Sequence, residues 1–198
     1  MVGEWRSLLD ESHRALRDTV AGVGAGDWDL RTPCEKWSVT QVLQHAAGDQ
    51  IGYAAAVTGG PWPSFDPFSP SGQLDGDALA FLDEALAASS GVYATVDDDA
   101  PEVPTPLPQG AMPAWLAAGA CALDAAVHAW DIAVATGQPS PLTVEMARPL
   151  MTVATRIVEP LRAFAFAPAL APQDTDDAAA ALLRYLGRQP TDAHIRQA

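Results

Sequence analysis

Cys121-Ala-Leu-Asp124-Ala-Ala-Val-His128-Ala-Trp130-Asp131 is the stretch on which both the fold and the candidate chemistry turn. Ala and Leu dominate it and no Pro or Gly interrupts it, so it reads as helix. At 3.6 residues per turn, Asp124 and His128 stand one turn apart on the same face. Cys121 and Asp131 extend that polar stripe by a turn in each direction. Pro113 suits the first turn of this helix and Gly137 its C-terminal cap, giving about 23 residues and roughly 35 Å, the longest element expected. Leu123, Val127 and Trp130 face the core on this reading. A buried carboxylate needs a cation, a metal or a strong hydrogen bond. No Lys or Arg lies between Lys36 and Arg148, so no cationic partner is close in sequence. A metal is one answer; an Asp124–His128 hydrogen bond is the other, and the spacing leaves both open.

The rest of the chain supplies a third candidate ligand. Ser38 followed by Gln41 is a capping box, and Trp37 against Val42 forms a hydrophobic staple, so a helix begins at Val39 and runs to about residue 57. On it Gln41, His45, Gly48, Asp49 and Gly52 share roughly one face. Each interior glycine costs about 1 kcal/mol relative to Ala. That cost is consistent with a close approach of backbone or ligand near His45. A buried histidine hydrogen-bonded inside a bundle is the alternative for His45. Two imidazoles and one carboxylate, His45, Asp124 and His128, would leave a coordination position open, as catalytic sites do, and suit zinc, with nickel or iron(II) as alternatives. Asp131 reads either as an acceptor for an imidazole N–H or as a surface acid. Cys34 and Cys121 are read as small buried thiols, although either could approach the site.

The remaining elements follow from periodicity. Residues 3–21 form a first helix with Trp5, Leu8, Leu9, Leu16 and Val20 on its inner face, and His13 is expected in solvent beside charged neighbours. Gly22-Val-Gly24-Ala-Gly26 closes that helix; a dinucleotide loop would have to follow a strand and open a helix. Residues 59–76 are a proline-rich loop with Trp62, Phe65 and Phe68, either a lid or a packed connection. Residues 77–96 form a third helix, 97–110 an acidic crossover, and 143–162 a fifth helix with a kink or restart at Pro149. Residues 164–167 read as extended, and 174–186 as a last short helix before a mobile tail containing His194. The expected division is a metal-bearing bundle over 1–140 and a helical extension over 141–198 packed on it.

Composition narrows the function. The chain has 198 residues, a net charge of −14 and a single lysine. Phosphate backbones require clustered Lys and Arg, so nucleic acid is not an expected partner. Two cysteines cannot staple a disulfide scaffold. With no signal pattern and no uncharged apolar run of the roughly 20 residues a membrane helix needs, no membrane association and a cytoplasmic location are expected. Neither a nucleophile elbow nor a P-loop is present.

Two motifs carry a resemblance. Thr32-Pro-Cys34-Glu-Lys36-Trp37-Ser-Val, with His45 eight residues after Trp37, and Asp124-Ala-Ala-Val-His128-Ala-Trp130-Asp131-Ile-Ala-Val-Ala-Thr136-Gly137 together resemble the DinB-like superfamily, in its mycothiol-dependent maleylpyruvate isomerase-like branch. The closing Leu182-Leu-Arg-Tyr-Leu-Gly-Arg-Gln-Pro190 is similar to that branch's ending. The resemblance implies an all-α, up-down-down-up four-helix bundle holding a divalent metal through His45, Asp124 and His128. Asp124 stands where the isomerases have Glu and many relatives have His. It also implies mycothiol as a co-substrate, and a thiol transferase or isomerase acting on an electrophilic small molecule. Arg31 or Lys36 would meet an anionic group of either reactant. A metal-dependent hydrolase, or a metal-free binding or biosynthetic protein on the same bundle, are the alternative functions. Monomer and homodimer are equally compatible with the sequence.

Overall fold

The structure is a computed structural model that describes residues 4–34 and 36–190. It contains helices α1 (Glu4–Ala21), α2 (Val39–Thr58), α3 (Ala78–Tyr93), α4 (Ala114–Thr136), α5 (Val144–Leu161) and α6 (Ala178–Tyr185). No strand occurs among the described residues, only two isolated bridges, Arg31 with Ser38 and Val103 with Met112.

Helices α1 to α4 form a ring in which α1 packs on α3 and α4, and α2 packs on the same two. Side-chain bonds fix their directions. Arg6, near the start of α1, pairs with Asp98 beyond the end of α3, while Arg17 near the end of α1 meets Asp83 near the start of α3. Those two helices are therefore antiparallel. The Gln138 amide just past α4 donates to the Thr19 carbonyl near the end of α1, so α1 and α4 run parallel. Early His45 of α2 lies by late His128 of α4, and these two are antiparallel. The sequence of directions is up, down, down, up. The all-α DinB-like bundle expected from the sequence is the observed fold.

Helix α4 is its axis. Ala117, Ala118, Ala122, Ala125, Ala126 and Ala129 are buried along it, and these short side chains let several helices approach at once. Gly119 carries this furthest: a methyl group there would sit 2.5 Å from Val153 Cγ2 of α5. Although Asp124 and Asp131 lie within it, α4 is long and apolar enough to cross a membrane by length and composition. However, 89% of that stretch is buried inside the bundle, as in a core helix.

Several boundaries and environments differ from expectation. His13 is buried rather than solvated, at 6% exposure. Its Nε2–H donates to Gln50 Oε1 at 2.9 Å, and the same oxygen accepts from Ser89 Oγ at 2.7 Å and Cys121 Sγ at 3.0 Å. Its partner comes from α2, and the groups sharing that partner from α3 and α4, so nothing in the sequence of α1 reveals them. Helix α5 passes Pro149 without a restart. Residues 164–167 are turns rather than extended, because the Phe164 and Ala165 N–H groups bond back to the Leu161 carbonyl. Helix α6 starts at Ala178, where the Asp177 carboxylate caps the Ala180 N–H at 2.8 Å. His194 lies outside the described residues.

Candidate metal centre

The capping box sets where α2 begins: Gln41 N–H donates to Ser38 Oγ, and Ser38 N–H to Gln41 Oε1. From that start His45 is carried nearly two turns along α2, opposite His128 of α4. The second residues of the 59–77 connection then fasten to the same helix. Gln41 and Gln44 side chains donate to the carbonyls of Pro70 and Gln73, and Gln44 Oε1 accepts from Gly72 N–H. The segment is thus tied to α2 over residues 67–73, while Trp62 and Phe68 stay more than half exposed. Pro67 and Phe65 press so closely on Gly48 that a methyl group there would lie 2.7 Å from Pro67 Cγ. Gly52 is looser, with no neighbour nearer than 3.7 Å. The close approach expected of these two glycines is therefore made at Gly48.

This approach brings the Pro67 carbonyl to His45 Nδ1 at 2.9 Å. A carbonyl can only accept, so Nδ1 carries the proton and Nε2 of neutral His45 carries a lone pair. Nε2 faces Asp124 Oδ1 at 3.8 Å and Asp49 Oδ2, one turn on along α2, also at 3.8 Å. From α4, His128 Nε2 approaches Asp124 Oδ1 at 3.4 Å. The ligand atoms of His45, Asp124 and His128 all lie within 4.8 Å of one another. The structure therefore brings together the three candidate ligands read from the sequence. The His45 ring is flanked by Trp37 at 4.6 Å and Phe68 at 5.4 Å between centroids, so aromatic rings wall this side of the cluster.

Behind His128 stands a second layer. Asp131 is fully buried, and its Oδ2 accepts from His128 Nδ1 at 2.9 Å. The same carboxylate is gripped by Arg188, Nε to Oδ1 at 2.9 Å and Nη2 to Oδ2 at 2.7 Å. Cys34 completes the layer, its Sγ 3.5 Å from both Asp131 Oδ2 and Arg188 Nη2. Of the two thiols, then, Cys34 reaches the site, whereas Cys121 stays in the Gln50 network. The cation missing near Asp131 in sequence is Arg188, 57 residues away. Gly187 delivers it: its φ of +79° is open to glycine and strained for other residues, and a methyl group there would strike the Ala167 backbone. Arg31 and Lys36, expected to meet an anionic reactant, are exposed, and neither pairs with a site residue among the described residues.

Electrostatics separate the two imidazoles. Burial, then the neighbouring His128, pulls His45 down to about 4. For His128 burial also acts downward and is the largest single effect, but Asp124, Asp131 and Cys34 together raise it well above its usual range. Asp131 is held well below the usual carboxylate range: burial opposes this, and Arg188 and His128 outweigh it. Asp49 is pushed well above that range by burial and then by Asp124. One proton on His128 can serve Asp124 Oδ1. It leaves His45 Nε2 and the buried Asp124 Oδ2 with no donor at all. A divalent cation satisfies all of these lone pairs at once, and both Nδ1 atoms are already committed, which is how metal-binding imidazoles are held. The donor set fits a metal.

Residues 9–133 match the family described as the mycothiol maleylpyruvate isomerase N-terminal domain. The chain belongs to this family. Its DinB-like helical branch is the one that the two sequence motifs indicated. Two uncharacterized proteins from two strains of Mycobacterium tuberculosis are each 31% identical to it over 157 residues, covering 75% of this chain and 79% of their own. The crystal structures of the mycothiol-dependent maleylpyruvate isomerase and of a histidine-to-alanine mutant align with a TM-score of 0.55 at 15% identity. Each alignment covers 77% of this chain and 67% of the other, and at that identity the likeness is one of fold.

Sequence reasoning placed His45, Asp124 and His128 and named Asp131 as a candidate second layer. It missed Arg188. The signals for it were the Leu182–Pro190 ending, which contains it, and the Gly187-Arg188 pair after a short helix, a C-cap pattern; neither says where the arginine lands.

Proposed function

We propose that the protein is a metal-dependent enzyme that uses a low-molecular-weight thiol, mycothiol or a close analogue, for S-transfer to, or isomerisation of, an electrophilic small molecule. The observation that carries this reading is the convergence of His45 Nε2, Asp124 and His128 Nε2, with each imidazole Nδ1 already hydrogen-bonded. Family membership supplies the thiol. His45, Asp124 and His128 would hold the metal, zinc in first place and nickel or iron(II) as alternatives. When bound, such a metal lowers the pKa of a coordinated thiol and presents a nucleophilic thiolate at neutral pH.

The chain's own residues do the rest. Pro67 and Asp131 fix the two imidazoles through Nδ1, so their lone pairs stay aimed at one point. Arg188 keeps Asp131 ionised and immobile, and Asp131 keeps His128 oriented. Trp37 and Phe68 flank His45, which is buried, and burial strengthens each charge interaction there. In the reaction the thiolate sulfur forms a bond to an electrophilic carbon. Either a leaving group departs with the electron pair, or a π bond opens; in isomerisation, rotation and loss of the thiolate then restore it. Residues 1–140 on this reading form the metal-bearing bundle, and 141–198 an extension that supplies Arg188. A cytoplasmic location suits the reading, since the thiol must be kept reduced.

Elemental mass spectrometry of protein purified without chelator should find about one equivalent of metal per chain, lost in His45→Ala and His128→Ala. Electrophile-dependent consumption of thiol should disappear in the same variants. Turnover retained in metal-free His128→Ala would overturn the proposal.

A further inference from the structure

The three-donor reading leaves one half-buried carboxylate beside the centre unused. Asp49 lies one turn beyond His45 on the same face of α2, and its side chain is 20% exposed. Its Oδ2 stands 3.8 Å from His45 Nε2, the same distance at which Asp124 Oδ1 faces that nitrogen. That nitrogen is no donor for it, because the His45 proton is committed to Pro67. No hydrogen bond to the Asp49 carboxylate occurs among the described residues. Nearby, Asp124 Oδ2 is buried and equally without a donor. Asp49 Oδ2 and Asp124 Oδ1 thus flank the His45 Nε2 lone pair, and the one donor at hand, His128 Nε2, meets Asp124 alone. Such an arrangement is costly by itself and becomes favourable around a dication.

We propose that Asp49 is a fourth protein ligand of the metal centre, making it a site of two imidazoles and two carboxylates. This rests on the reading of His45, Asp124 and His128 as metal ligands and extends it. Two carboxylates balance the charge of a divalent ion, which suits a half-buried site flanked by Trp37 and Phe68.

The test is metal titration of the full chain, stripped by chelation, with zinc and cobalt(II), followed by calorimetry and by the visible spectrum of bound cobalt. Asp49→Asn keeps the shape of the side chain and removes its charge. The metal-free variant should be at least as stable to urea as metal-free wild type, because one of two facing carboxylates has gone. Its affinity for both metals should fall about tenfold or more, a drop at least as large as that seen for residues that only orient ligands. Its cobalt spectrum should change in band position and intensity. Affinity within twofold of wild type would overturn the proposal. So would weaker binding with an unchanged spectrum, which would mean that Asp49 acts by charge alone. Wild-type protein that takes up no metal would refute the three-donor reading itself. Metal uptake by wild type that is indifferent to Asp49 would refute the fourth ligand only.

Discussion

Replacing Arg188 with Met tests the second layer most directly. Arg188 and Asp131 are both buried, with side chains 10% and 0% exposed, and are joined by two bonds of 2.9 and 2.7 Å. Met keeps most of the stem's apolar packing and removes the charge, leaving Asp131 as an ion in the core with only His128 and Cys34 against it. Breaking a buried pair from one side costs about 3–5 kcal/mol. For a chain of this size that corresponds to a fall in Tm of roughly 6–20 °C. A second substitution refines the argument. In Arg188→Met with Asp131→Asn the buried charge is gone, while the Asn side-chain oxygen still accepts from His128 Nδ1. The double variant should therefore recover part of the loss, giving a coupling energy of about 1–3 kcal/mol in a urea-denaturation cycle. Metal affinity should fall about 10–100-fold in Arg188→Met, because Asp131 no longer holds the His128 ring in place. Arg188→Met within about 1 kcal/mol of wild type, with metal affinity unchanged, would refute the claim that the C-terminal segment organises the site.

Three further outcomes follow from single contacts. Gly48→Ala should destabilise the protein by about 1–3 kcal/mol, because its methyl group meets Pro67 at 2.7 Å, whereas Gly52→Ala should be neutral or stabilising; urea denaturation of the pair decides it. Gln50→Leu should cost about 2–4 kcal/mol by stranding His13, Ser89 and the Cys121 thiol at once, read from the same assay. In metal-free protein, His45 is held near 4 against 6.5 when unfolded, so between those values the unfolded chain binds the extra proton. Its contribution is therefore stability present above pH 6.5 and lost as pH falls toward 4, about 3 kcal/mol at most. His45→Gln should flatten that part of the pH–stability curve, and an unchanged slope would contradict the assignment.

The amino-acid sequence by itself determined the helices and pointed to the three candidate donors. An uninterrupted Ala-rich run forms α4 from local propensity, a Ser38–Gln41 box starts α2, and 3.6-residue periodicity puts Asp124 and His128 on one face. All of these are short-range effects, so they are visible in neighbouring residues. The same locality explains the errors. His13 sits among charged residues in the chain, yet its environment is set by Gln50, 37 positions away. Asp131 could be an acceptor or a surface acid in the sequence, and only the packing of α4 against the C-terminal segment made it the buried link between Arg188 and His128. Asp49 was one polar residue of a helix face, and only the folded chain set its carboxylate 3.8 Å from His45 Nε2. Tertiary structure decided which polar groups were buried and which partners reached them. Burial turns a solvated charge into a costly one, and only long-range packing settles what stands opposite it.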